Sequence, residues 1–162
     1  MSDNLIQVYT VYIQAHASKV WDAITTSEYT NQWGYGGDTE YDFTPGGKYC
    51  NFTTDAMKAM GLGDVAISGT VLSVEVGSRL EITWKPAWCP DAPETKLTWE
   101  LTEFDGPLTR VVLTHDLTAH PPLADEVAGG GQPDQGGGGW PWTLASLKTL
   151  VETGRPMVGS GS

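Results

Sequence analysis

The sequence predicts an α+β domain in which a curved sheet closes around one long C-terminal helix. Three observations carry this. Residues 139–154 read as a single helix with both ends marked. Most of the chain from Thr39 to Asp116 has the period-two alternation of strands. Short Gly- and Pro-containing turns divide that stretch into hairpins.

The helix itself is well signposted. Pro141 suits a first turn, where its missing N–H has no partner in any case. Gly154 can take the left-handed conformation that closes a helix, and Pro156 blocks a restart. Trp140, Leu144, Leu147 and Val151 follow i, i+4, i+7, i+11 spacing, so one face must be covered. Upstream, Leu5–Gln14 alternates around β-branched and aromatic residues as a first strand. Ser18 is placed as the N-cap of a short helix carrying Val20, Trp21 and Ile24. A second short helix runs from Ser27, with Tyr29 and Trp33 on one face, and Gly34, Gly36 and Gly37 stop it.

Thr39–Phe43 and Lys48–Thr54 form a hairpin about Pro45-Gly46-Gly47, and 55–63 fits either a loop or one helical turn. Asp64–Val76 and Arg79–Lys85 are strands joined at Gly77-Ser78. Lys96–Phe104 and Thr109–Asp116 pair around Asp105-Gly106-Pro107. Alternation places Leu80, Ile82 and Trp84 on one face, with Leu97, Trp99 and Leu101, and Val111, Leu113 and His115. The connection 117–138 is long, with a helical turn possible at Pro121–Ala128 and a glycine-rich stretch at 129–139. Such a segment is either a lid over a cavity or a disordered insertion.

At 162 residues the chain is read as one domain over 1–158, with 159–162 a flexible tail. The net charge of −11 with 9 basic residues excludes nucleic acid and anionic membranes as partners. No run approaches a membrane span, and Met1-Ser2-Asp3-Asn4 lacks the basic start of a secretion signal, so a cytoplasmic protein is expected. Cys50 and Cys89 form no metal-binding spacing and are read as reduced thiols. No metal or cofactor is expected.

Two features break an apolar interior: the inward His115, and tryptophans 33, 84, 88, 99, 140 and 142 gathered around it. Large rigid rings rarely fill space without gaps, and each indole N–H needs a partner. An apolar pocket with a few polar groups is the usual small-molecule site. Trp33, Trp84, Trp88, Trp99, Trp140 and Leu144 are the candidate walls, with His115, Asn51 and Tyr49 as candidate orienting groups. Whether Tyr49 or Cys50 faces inward depends on a one-residue register.

Ordered motifs then point to a family. Val20-Trp21-Asp22-Ala23-Ile24-Thr25, Trp33 and Phe43-Thr44-Pro45-Gly46-Gly47-Lys48-Tyr49 resemble successive motifs of the SRPBCC helix-grip superfamily. So do Gly69-Thr70-Val71-Leu72-Ser73-Val74-Glu75, Leu80-Glu81-Ile82-Thr83-Trp84 and Thr109-Arg110-Val111-Val112-Leu113-Thr114-His115. The closing Gly139-Trp140-Pro141-Trp142, with Leu144, Leu147 and Lys148, resembles the branch related to the activator of heat-shock-protein-90 ATPase. The resemblance implies a seven-stranded antiparallel sheet gripping the last helix, two short helices after strand 1, and a hydrophobic cavity. It leaves the function open.

Three functions follow as expectations. The first is binding of an aromatic or polycyclic hydrophobic molecule, in natural-product metabolism or self-resistance. The second is cofactor-independent cyclase, aromatase or dehydratase chemistry with His115 as general acid or base. The third is a co-chaperone-like protein interaction. The oligomeric state, monomer or homodimer, stays open.

Overall fold

The computed structural model describes residues 5–33, 37–129 and 138–157. Seven strands lie in one open antiparallel sheet: β1 Ile6–Ile13, β2 Thr39–Tyr41, β3 Lys48–Phe52, β4 Val65–Glu75, β5 Arg79–Pro86, β6 Thr95–Phe104 and β7 Leu108–Asp116. Their spatial order is β1-β7-β6-β5-β4-β3-β2. Helices α1 (Ala17–Thr25) and α2 (Ser27–Trp33) follow β1, and α3 (Asp55–Ala59) follows β3. A 3₁₀ turn (Pro121–Leu123) leads into α4 (Ala124–Val127), and α5 (Gly139–Thr153) closes the fold.

The sheet grips α5. Trp140, Leu144, Leu147 and Val151 are all buried, in one continuous core with Leu80, Ile82, Leu97, Val111 and Leu113. Each such side chain contributes roughly 1.5–3 kcal/mol by leaving water, so the stripe on α5 fixes which face meets the sheet. Gly154 sits at φ 77°, and its N–H returns to the Leu150 carbonyl at 2.8 Å, the helix stop expected of it.

Several local expectations are corrected. Ser18 lies inside α1 and caps nothing. The Ala17 N–H is instead taken by the Glu103 carboxylate at the end of β6, at 2.6 Å. A tertiary partner does the work of the local cap. The second strand stops at Tyr41, because Asp42 turns the chain by accepting from the Thr44 hydroxyl at 2.7 Å. Segment 55–63, which by sequence fits either a loop or one helical turn, does begin as a helical turn, capped by Thr54, whose hydroxyl accepts from the Met57 N–H at 3.2 Å. Trp142, grouped with the interior tryptophans by sequence, is 36% exposed. Two positions beyond Trp140, it points about 200° round the helix. The expected glycine-rich lid falls mostly on 130–137, and the expected tail is 159–162, both outside the described residues.

The register question resolves with Tyr49 inward (3% exposed) and Cys50 half-buried. Tyr49 pairs with Gly69 across β3 and β4. A Cβ at Gly69 would overlap both the Tyr49 ring and the Thr83 carbonyl oxygen. That glycine exists to let the tyrosine ring lie flat against the sheet. Both cysteines are unpaired, and burial pushes each thiol above its ordinary pKa.

Candidate functional site

Between the sheet, α5 and the two short helices lies a cavity of about 40 Å³. Alternation on β5 and β6 delivers Ile82 and Trp84, and Leu97 and Trp99. The helices contribute Ile24, Thr30, Trp33 and Trp140, while the β2–β3 hairpin adds Tyr41, Tyr49 and Asn51. Among the described residues, no charged side chain lies on this wall.

Two aromatic groups bound the space. Trp33 meets Trp99 edge-to-face at 5.9 Å and 87°, and Trp99 meets Trp140 at 6.0 Å and 89°. Trp84 joins them 5.8 Å from Trp140. On the hairpin side, Tyr41 stacks on Tyr49 at 5.0 Å and on Phe43 at 5.1 Å. Ring pairs at these separations are each worth about 0.5–1.5 kcal/mol beyond area burial, so the walls hold their shape by contacting one another.

The polar groups on the wall differ in their commitments. The Trp33 indole donates to the Ala23 carbonyl at 2.7 Å, and the Thr30 hydroxyl donates to the Gly37 carbonyl at 3.1 Å. The Asn51 amide nitrogen donates to the Thr39 hydroxyl, which donates to the Cys50 carbonyl at 3.2 Å. The Tyr49 hydroxyl is buried with no hydrogen-bond partner. Burial raises its pKa well above the phenol value, and Tyr41, Glu94 and Cys50 add to this, so it stays a neutral O–H donor.

His115 is fully buried behind this wall and does not line the cavity. Its Nδ1 lies 3.0 Å from the Trp140 Nε1–H, which can only donate. The ring proton therefore sits on Nε2, 2.7 Å from the Thr95 hydroxyl, and that hydroxyl donates to the Trp84 carbonyl at 3.2 Å. Burial pulls the imidazole pKa down to about 3, against a small opposing effect of Asp116. The ring is neutral near pH 7 and uses both nitrogens to orient Trp140 and β6.

Of the residues singled out from sequence, Trp33, Tyr49, Asn51, Trp84, Trp99 and Trp140 come together on the cavity wall. Trp88, Leu144 and His115 do not. Trp88 packs edge-on against the outer side of Trp84 at 6.5 Å and donates to the Glu126 carboxylate at 3.2 Å. Leu144 is buried in the core away from the hollow. Sequence reasoning missed Tyr41, Thr30, Ile24, Ile82 and Leu97 as wall residues. The last two stood on the inward face already, and Tyr41 follows once its pairing with Tyr49 is known. Among the described residues no cluster of His, Cys, Asp and Glu could hold a metal ion. No helix there is long and apolar enough to cross a membrane.

Comparison with known proteins agrees with this architecture. Residues 14–152 match the family described as activator of Hsp90 ATPase homolog 1-like protein. No curated protein sequence matches. Among solved structures, CalU16 from Micromonospora echinospora is similar at a TM-score of 0.66 and 23% identity, over 93% of this chain and 76% of that one. DynU16, a protein of the dynemicin biosynthetic locus, gives 0.68 and 24% over 97% of this chain, which spans 51% of DynU16. PFC0360w, an HSP90 activator from Plasmodium falciparum, gives 0.55 and 19%, over 69% and 72% of the two chains. At these identities the likeness to solved structures is one of fold.

Proposed function

The chain belongs to the activator of Hsp90 ATPase homolog 1-like family, and on that premise we propose that it binds a neutral, hydrophobic, aromatic small molecule between the sheet and α5. The observation that carries this is an aromatic wall without a charged side chain among the described residues, to which Tyr49 belongs with its hydroxyl buried and unpartnered. A buried donor without an acceptor costs about 1–3 kcal/mol, which a ligand acceptor would recover. A charged ligand would be stripped of water with no counter-charge on the wall, so a neutral one is favoured.

Size sets the mode of binding. The 40 Å³ cavity takes about three or four waters at about 10–15 Å³ each, whereas a cavity that binds benzene measures about 150 Å³. The described state is therefore a closed one, and a ligand must part the rings. A flat aromatic body replaces the ring–ring contacts it breaks with ring–ligand contacts of similar worth, which an aliphatic chain cannot do. The similarity to DynU16, from a biosynthetic locus, supports a role in natural-product metabolism or self-resistance.

Carriage or sequestration is favoured over cyclase chemistry. His115, the one candidate acid–base group, lies off the cavity wall with both ring nitrogens engaged, and its low pKa sets it far from neutral operation. The co-chaperone reading rests on the family's name.

Titrating the protein with fluorenone and fluorene, a planar ketone and its hydrocarbon, tests the proposal by intrinsic tryptophan fluorescence and calorimetry. Saturable quenching with one-to-one stoichiometry is expected. Quenching that rises linearly, as for free tryptophan, would defeat it.

A further inference from the structure

The two edges of the sheet are unlike. β2 is three residues long and exposes Glu40, two ordinary ways of blunting an edge. β1 runs eight residues with neither protection, and from Leu5 to Ala15 the chain has no Asp, Glu, Lys, Arg or His.

Register decides which backbone groups on β1 are free. Ile6 faces Asp116, so Leu5 faces Leu117, and the Leu117 N–H donates to the Leu5 carbonyl at 2.6 Å. Hydrogen-bonded and non-bonded pairs alternate along an antiparallel ladder. Leu5, Gln7, Tyr9, Val11 and Ile13 therefore direct their N–H and C=O groups at β7, while Ile6, Val8, Thr10 and Tyr12 direct theirs outward. The Tyr12 carbonyl is taken by the Lys148 ammonium at 2.7 Å, and α5 also holds the Gln14 N–H through Glu152 at 2.8 Å. The open stretch is Ile6 to Thr10. Its outward-directed residues also carry exposed side chains on the solvent face, with Ile6 53% and Val8 59% exposed.

We infer that this edge pairs with the β1 edge of a second copy of the chain, antiparallel about a two-fold axis at Val8. In that register Val8 faces Val8 of the second copy and Ile6 faces Thr10 on either side. Each facing pair exchanges both of its hydrogen bonds. A register centred further toward Tyr12 would need the carbonyl that Lys148 holds. One centred earlier would need residues before the strand. The second copy fits because the outward groups of Ile6, Val8 and Thr10 match themselves one for one about that axis, with none left over. Copies carrying −11 repel one another, and the uncharged edge is where they approach at least cost. The row crossing the axis reads Thr114, Val8, Val8, Thr114, with no like charges opposed.

The experiment is sedimentation equilibrium on wild type, Val8→Lys and Val8→Cys, with far-UV circular dichroism and thermal melts confirming that each variant folds. Wild type is expected as a dimer. Val8→Lys sets two ammonium groups face to face and should weaken it by about tenfold or more. Val8→Cys should cross-link into covalent dimers on mild oxidation, since facing Cα atoms about 5.5 Å apart suit a disulfide. A dimer indifferent to Val8→Lys would overturn the inference by placing the interface elsewhere. A wild-type monomer at all concentrations would overturn it too, leaving the edge to an extended segment of another protein.

Discussion

Replacing Tyr49 with Phe should stabilise the protein and blunt its ligand preference at once. The ring sits flat over Gly69 and stacks on Tyr41 at 5.0 Å, and phenylalanine preserves both contacts. Only the hydroxyl is lost, and it is buried without a partner. Leaving such a group unsatisfied costs about 1–3 kcal/mol, so removing it should gain about 1 kcal/mol, allowing for the small void left behind. For a chain of this size that is a rise in Tm of about 2–4 °C, read by calorimetry. Binding should move the other way. Wild type should prefer fluorenone to fluorene by about three- to tenfold, the worth of one hydrogen bond, and Tyr49→Phe should bind the two alike. A lower Tm in the variant would show that the hydroxyl already has a partner. An unchanged ketone preference would show that the acceptor is read elsewhere.

Other predictions follow from the same contacts. The His115 pKa is lower in the folded protein, about 3, than the ordinary 6.5, so the unfolded chain binds the extra proton between these values. Stability is then unaffected above about pH 6.5 and falls by roughly 2 kcal/mol from pH 6.5 to 5, before carboxylates titrate. Urea melts across that window should show the slope in wild type and lose it in His115→Gln. Trp140→Phe removes the donor to His115 Nδ1 at 3.0 Å and leaves a void, and should cost about 2–4 kcal/mol in the same melts. Gly69→Ala forces the Tyr49 ring and Thr83 carbonyl apart. It should destabilise by about 1–3 kcal/mol and weaken fluorenone binding, whereas Gly77→Ala, with nothing near its Cβ, should leave binding untouched despite its strained φ of 86°.

What could be read from the sequence was local, and what could not was contact between distant segments. The limits and face of α5 were legible because Pro141, Gly154 and the Trp140–Val151 spacing act within the helix. The inward faces of β5, β6 and β7 were legible because alternation is a property of each strand alone. Ser18 failed as a cap because Glu103, far along the chain, occupies the Ala17 N–H. Tyr41 was missed because its place on the wall depends on stacking against Tyr49 across the hairpin. His115 was correctly placed inside, but its neutrality follows from Thr95 and Trp140, which only the assembled sheet and helix bring to its two nitrogens. The small cavity volume depends on how the rings interlock, and composition carries no trace of that.

Where a ligand goes is reported directly by the indole N–H resonances. With ¹⁵N-labelled protein and fluorenone, the signals of Trp33, Trp84, Trp99 and Trp140 should shift together along one saturating curve. Trp142, on the far side of α5, should stay in place. Saturable shifts confined to Trp142 and the outer surface, or none at all, would contradict a binding site between helix and sheet.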